Sequence, residues 1–178
     1  SYAKGTTYLS NCACEPEIKD LTIFLKKMGI KIQWIGERKV KISGSHNLKS
    51  VSHTVMFDRI EAGTFVIAGA LTGKKLKISG IDTKFLKKEI SVLKKMNVKL
   101  RVNKNDITIL NSRNIKPASI STQPYPGFPT DLQAQIMVLM TRANGISKIK
   151  ENIFEKRFMH VPELNRMGAK IKISRDTS

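Results

Sequence analysis

With 178 residues, 40% of them hydrophobic, the chain is long enough to bury a core and reads as one domain or two small ones. Its longest apolar run, Ile136 to Met140, is far too short to span a bilayer, and its start, SYAKGTTYLS, has neither an initiator Met nor the apolar stretch of a signal peptide, as a fragment would. The 32 Lys and Arg against 14 Asp and Glu give +18, but the lysines are spread along the chain without any nucleic-acid motif, so charge alone does not assign a nucleic-acid partner.

The first predicted element is a short strand in GTTYLSN (Gly5 to Asn11). Cys12 and Cys14 follow in CAC; they are too close for an easy disulfide and have no second pair for zinc, so they read as reduced thiols beside a strand. An amphipathic helix comes next, with Ile18, Leu21, Leu25 and Met28 at helical spacing and Lys19, Lys26 and Lys27 opposite. It ends at Met28-Gly29, and the strands KIQWI and VKISG (Val40 to Gly44) follow. A second helix is predicted over DRIEAGTFVIAGALTG (Asp58 to Gly73), where Asp58 and Glu61 have capping-box spacing.

The cycle then recurs. KKLKIS reads as a strand, Leu86, Ile90, Leu93 and Met96 as a helical stripe, Met96-Asn97 as a corner, and KLRV and DITIL (Asp106 to Leu110) as strands. The proline-rich stretch TQPYPGFPTDLQAQ (Thr122 to Gln135) leads into a helix ending at Gly145, with Thr130 and Gln133 again at capping-box spacing. It places Asp131 in the first helical turn, where the dipole favours an ionised carboxylate. GISKIKEN, IFEKRFMHVPEL (Ile153 to Leu164), a Met167-Gly168 corner and a strand KIKI close the chain.

FLKKMGIKI, VLKKMNVKL and ELNRMGAKI are therefore one phrase written three times. Met28, Met96 and Met167 are 68 and 71 residues apart, and Gly5, Gly73 and Gly145 are 68 and 72 apart. Two independent markers sharing a period indicate a repeat of β-α-β-β-β-α, entered at any point, and so an α/β fold of a few packed units. The methionines and apolar stripes read as core packing, which concerns architecture rather than function.

Chemistry is expected where one copy departs from the others. The proline-rich loop carries Asp131, and the IFEKRFMHVPEL stretch carries Glu155, Arg157 and His160. Arginine suits bidentate binding of phosphate or carboxylate. His160 reads as a satisfied packing residue, and three scattered histidines make no metal cluster. There is no GxxxxGK[ST] loop, no dinucleotide fingerprint and no defensible Ser-His-Asp set.

CEPEIKDLTIFLKKMGIKI, DRIEAGTFVIAGA, PGFPTDLQAQ and FEKRFMHVPELNRMGAKI together resemble the UDP-N-acetylglucosamine enolpyruvyl transferase family, from about Gly5 onward. FPTD-LQAQ and RFMHVPEL separate it from the shikimate-pathway relative of the same fold. The resemblance implies two lobes, each of three β-α-β-α-β-β units in an inside-out α/β barrel, incomplete in this chain. Residues 1–56 would be part of the last unit of one lobe and residues 57–178 two units of the other. It implies transfer of the enolpyruvyl group of phosphoenolpyruvate to the 3′-hydroxyl of UDP-N-acetylglucosamine, through a tetrahedral adduct and with no metal or organic cofactor. This is the first committed step of peptidoglycan synthesis, in the bacterial cytoplasm, with no membrane partner.

By the same resemblance Asp131 contacts the reacting hydroxyl and Arg157 lies near the phosphoenolpyruvate end. Thr130, Ile153 and Phe154 line the nucleotide-sugar site, and Glu155 supports it. Asp58, Arg59 and Glu61 match a motif at the lobe junction, where Phe57 replaces the family's usual Pro. The family's reactive cysteine lies in a loop that holds neither Cys12 nor Cys14, so the chain by itself is expected to lack turnover. The alternative is a non-catalytic module that binds a nucleotide sugar or another polyanion.

Overall fold

The recurring phrase is a helix-to-strand corner closed by the same hydrogen bonds each time. In the first copy Gly29 N–H donates to Lys26 O at 3.0 Å and Ile30 N–H to Leu25 O at 3.1 Å. In the second, Asn97 N–H reaches Lys94 O and Val98 N–H reaches Leu93 O; in the third, Gly168 N–H reaches Asn165 O and Ala169 N–H reaches Leu164 O. This paired pattern satisfies the last helical carbonyls and needs a left-handed residue at the turn. Gly29, Asn97 and Gly168 supply it, at φ 103°, 64° and 98°.

The structure, a computed structural model, describes residues 1–174. The chain forms two compact units, Ser1–Met56 and Phe57–Ser178. The first contains β1 (Thr6–Ser10), α1 (Pro16–Lys27), β2 (Lys31–Gly36) and β3 (Lys39–Ser43), with the strands in one antiparallel sheet of order β1-β3-β2. Cys12 and Cys14 lie just past β1, half-buried and buried. The core of this unit is small: Ile30, Ile32 and Val40, with Leu25, Trp34, Ile42 and Leu48 against them. The stripe predicted for α1 is only partly covered. Leu25 packs inward, but Leu21 is 49% exposed, because three short strands offer too little surface to cover the whole helix face.

The second unit begins with α2 (Arg59–Thr72), capped by Asp58, whose carboxylate accepts from Ile60 N–H at 2.7 Å and Glu61 N–H at 3.0 Å. Glu61 itself is exposed. Next come β4 (Leu76–Ser79), α3 (Lys87–Lys95), β5 (Leu100–Val102), β6 (Asp106–Ile109), β7 (Ser119–Ser121), α4 (Gln133–Met140), β8 (Lys148–Lys150) and α5 (Val161–Arg166). Strands β4-β6-β5 form an antiparallel sheet, and β7 and β8 pair in parallel. From β4 through α4 the order is β-α-β-β-β-α, the cycle expected from the repeat.

Helices α2 and α4 are the apolar centre of this unit. Val66, Ile67, Ile136 and Leu139 are buried there, and Leu86, Leu93, Met96 and Ile107 join the same core. Gly63 lets the helices approach closely: a Cβ on it would stand 2.5 Å from Leu132 Cδ1.

The expectation that all three corner methionines are core residues is corrected. Met96 is 0% exposed, Met28 is half-buried and Met167 is 84% exposed. Downstream segments run back over the first two corners, where Met28 O accepts from Lys49 N–H and Met96 O from Lys116 N–H, each at 2.9 Å. Among the described residues Met167 O accepts no such backbone hydrogen bond. Likewise Lys170 to Ile173, predicted as a strand, does not form one.

Candidate functional site

The alternation of β8 sets the site. Lys148 and Lys150 point outward and Ile149 inward, so the next residue, Glu151, falls on the buried side and is 4% exposed. Its register partner strand β7 ends at Ser121, and the fully buried Thr122 follows. Thr122 Oγ1 donates to Glu151 Oε1 at 2.7 Å, and Asn152 N–H donates to that hydroxyl at 2.9 Å. Glu151 Oε1 also accepts from Ile153 N–H at 2.9 Å and Phe154 N–H at 3.3 Å. Glu151 Oε2 accepts from the Thr130 hydroxyl at 3.0 Å.

The proline-rich loop leaves β7 and returns within a few residues. Thr122 N–H donates to Lys150 O, Gln123 N–H to Phe128 O and Gly127 N–H to Pro124 O, and the Tyr125–Pro126 peptide is cis. Gly127 fits because a Cβ there would stand 2.4 Å from Gln123 Cβ. Phe128 and Leu132 are buried anchors on either side of the helix start. The segment Thr130–Leu132 forms a 3₁₀ turn running into α4. Thr130 is not the predicted cap. It lies inside the 3₁₀ turn, one residue past Pro129 at the cap position, and its hydroxyl donates to the Glu151 carboxylate.

Between the anchors Asp131 points to the surface. Its Oδ1 accepts from Arg157 Nη2 at 2.9 Å, and Oδ2 has no partner among the described residues. The pair is open to solvent, with side chains 55% exposed at Asp131 and 36% at Arg157. The Arg157 guanidinium carbon stands 5.0 Å from the Phe154 ring centre. The structure thus brings Thr130, Asp131, Ile153, Phe154 and Arg157 into one neighbourhood. Glu155 is exposed and makes no hydrogen bond or ion pair among the described residues. His160 departs from the satisfied packing role: its Nε2 is buried without a hydrogen-bond partner among the described residues. Burial first, and the Arg157 charge second, push its pKa below the usual histidine value.

A second polar group braces the loop from behind. Arg59 and Glu89 are both buried and stand 4.0 Å apart. The Arg59 guanidinium carbon lies 5.4 Å from the Tyr125 ring centre. Burial raises the Glu89 pKa, against the smaller opposing effects of its backbone hydrogen bond and of Arg59. Arg59 is therefore a packing and bracing residue. Among the described residues no group of three or more His, Cys, Asp or Glu is placed to hold a metal ion.

Glu151 is the residue that motif reading passed over. Its signal was the period-two pattern of KIKE, which assigns Glu151 to the buried face with Ile149.

The sequence pattern described as EPSP synthase (3-phosphoshikimate 1-carboxyvinyltransferase) matches residues 1–178. A UDP-N-acetylglucosamine 1-carboxyvinyltransferase from Pelagibacter ubique is 60% identical over 172 residues, covering 97% of this chain and 41% of that relative. Another of that name from Koribacter versatilis is 49% identical over 171 residues, covering 96% of this chain and 40% of its own length. The chain thus spans about two fifths of the curated relatives it matches. Among solved structures, the enolpyruvyl transferase NikO from Streptomyces tendae superposes with a TM-score of 0.89 at 27% identity, covering 98% of this chain and 42% of that one. These matches extend over both units, and the chain belongs to the EPSP synthase family.

Proposed function

We propose that this chain carries one side of the active site of a UDP-N-acetylglucosamine 1-carboxyvinyltransferase, acting in peptidoglycan synthesis in the bacterial cytoplasm. The substrates are UDP-N-acetylglucosamine and phosphoenolpyruvate. In this reading the first unit is the last repeat of one lobe and the second unit supplies two repeats of the other. The support is the name and 60% identity of the Pelagibacter relative together with the site geometry.

The observation that carries the reading is the Asp131–Arg157 pair at 2.9 Å, formed between FPTD and RFMHVPEL. Asp131 Oδ2 is available to accept a sugar hydroxyl, while Oδ1 is held by the guanidinium. The reaction adds the 3′-hydroxyl oxygen to C2 of the enolpyruvyl group and a proton to C3. The adduct then loses phosphate and a C3 proton, which restores the double bond. Asp131 aligns the hydroxyl and takes its proton as C–O bonding develops. Arg157 is placed to stabilise negative charge that builds on the enolpyruvyl carboxylate or phosphate. Thr130, Ile153 and Phe154 line the sugar side, and Glu155 stands at its rim.

Calorimetric titration of this chain with UDP-N-acetylglucosamine tests the reading. Saturable binding that weakens about tenfold or more in Asp131→Ala is expected, as for loss of a hydrogen bond to a charged group. Equal binding by the folded variant would contradict it.

One observation favours a second reading, a polyanion-binding module. A groove along α3 has Lys87, Lys94, Lys95 and Lys104 in its lining, with Lys84 paired there to Asp82 at 2.6 Å. Binding to DNA that vanishes at moderate salt would mark it as sequence-independent electrostatics.

A further inference from the structure

A buried carboxylate is unfavourable unless donors surround it. Glu151 has four, two hydroxyls and two backbone amides, and they come from two separate chain segments. Thr130 immediately precedes Asp131. Ile153 and Phe154 open the segment that carries Arg157, and the Arg157 guanidinium lies by the Phe154 ring. The two segments that supply the exposed ion pair are therefore joined beneath it by one side chain.

We propose that Glu151 is the positioning residue of this site: it fixes the Asp131 carboxylate against the Arg157 guanidinium and sets the hydrogen-bonding polarity of the surrounding groups. This rests on the transferase reading above. The Thr130 hydroxyl directs its only proton to Glu151, so it offers a ligand lone pairs alone. The Ile153 and Phe154 amides are turned to the same carboxylate and are not available as donors. What remains facing a ligand is a hydroxyl acceptor, a carboxylate acceptor and one guanidinium. That set takes a hydroxyl-bearing ligand beside an anion, the combination of a sugar alcohol with a carboxylate or phosphate.

Two substitutions separate these roles. Glu151→Ala removes both acceptors. Glu151→Gln keeps an acceptor for the two amides but turns an amide NH2 donor toward Thr130, whose hydroxyl must then accept and can release its proton toward the ligand. Amide hydrogen exchange, carbonyl-carbon NMR and calorimetry with UDP-N-acetylglucosamine read the outcomes. In Glu151→Ala, exchange at Ile153 and Phe154 should speed by about tenfold or more while core amides such as Ile107 and Leu139 keep their protection. The change that Arg157→Ala produces in the Asp131 carboxyl signal of the parent chain should disappear in this background. In Glu151→Gln, Ile153 and Phe154 should keep their protection, yet the sugar nucleotide should bind about tenfold more weakly, as expected when a site's polarity no longer matches its ligand.

A folded Glu151→Ala chain with undisturbed Ile153 and Phe154 exchange and intact Asp131–Arg157 coupling would overturn the positioning role. Should Glu151→Ala lose its core protection, Glu151→Gln decides: unchanged affinity and unchanged Thr130 hydroxyl exchange would overturn the polarity assignment. If the parent chain binds no sugar nucleotide, the transferase reading loses its sugar half-site. The exchange and coupling measurements still decide the role of Glu151 in that case.

Discussion

Thr130 and Glu151 show how a buried charge redirects local chemistry. By sequence Thr130 sits where a helix cap belongs, but it lies inside a 3₁₀ turn that starts after Pro129, where its hydroxyl donates to Glu151 at 3.0 Å. The FPTD and RFMHVPEL motifs pointed to the neighbourhood, because a carboxylate at a helix start and an arginine among apolar residues are visible in one dimension. The joint between them was not singled out by motif, although KIKE alternation carries the trace of it. Glu155 held the motif position but lies at the surface, so the acidic residue with the structural work is four positions earlier. Gly63 offers a direct check on how tightly the site segment is seated. A methyl there would stand 2.5 Å from Leu132 Cδ1, and Leu132, next to Asp131, is fully buried. Overpacking of about 1–3 kcal/mol should outweigh the helix-propensity gain of about 1 kcal/mol. Gly63→Ala is therefore expected to lower the urea midpoint of the second unit, and a raised midpoint would show that Leu132 can move aside.

Among the elements, the segment after β3 is tied down without secondary structure of its own. His53 Nε2 lies 3.0 Å from Asp20 Oδ2 on α1, and His53 Nδ1 lies 3.4 Å from Lys27 Nζ. The Met56 N–H also reaches Asp20 Oδ2, at 3.5 Å. The His53 hydrogen bond is the main cause that holds the Asp20 carboxyl below its ordinary value, with burial opposing it. A carboxyl lowered in the folded state contributes stability above its unfolded value and loses it as pH falls through the folded one. The first unit should therefore weaken below the ordinary aspartate range, and Asp20→Asn should flatten that part of the profile. Trp34 is the chain's single tryptophan and lies in this unit, so its fluorescence in urea at several acidic pH values reads the effect. An unchanged acid slope in Asp20→Asn would contradict the assignment. At this scale the sequence was informative about corners and stripes, since left-handed residues and helical spacing are local properties. It could not tell a covered stripe from an open one. The stripe of α3 is buried while Leu21 of α1 is half-exposed, and the difference lies in what each helix packs against.

For the whole molecule, the repeat accounts for the two units and for the near-identity of their corners, while the comparisons set its scale. A chain covering 41% of the Pelagibacter relative carries the exposed Asp131–Arg157 pair and, close by, the buried Glu151. No helix among the described residues is long and apolar enough to cross a membrane. The repeat could be found from sequence because two markers kept one period. The outward face of Met167 could not, because exposure depends on what packs over the corner, which local spacing does not carry. The central claim, that these residues form one side of an enolpyruvyl transfer site, is tested most directly by phosphate release from a chimera. In it this chain replaces the matching segment of the Pelagibacter ubique enzyme, and both substrates are supplied. The account predicts turnover by the chimera, none by this chain alone, and a loss of about 100-fold or more on Asp131→Ala, the scale of a lost acid–base group. A folded chimera that releases no phosphate, or one in which Asp131→Ala turns over as fast as its parent, would contradict it.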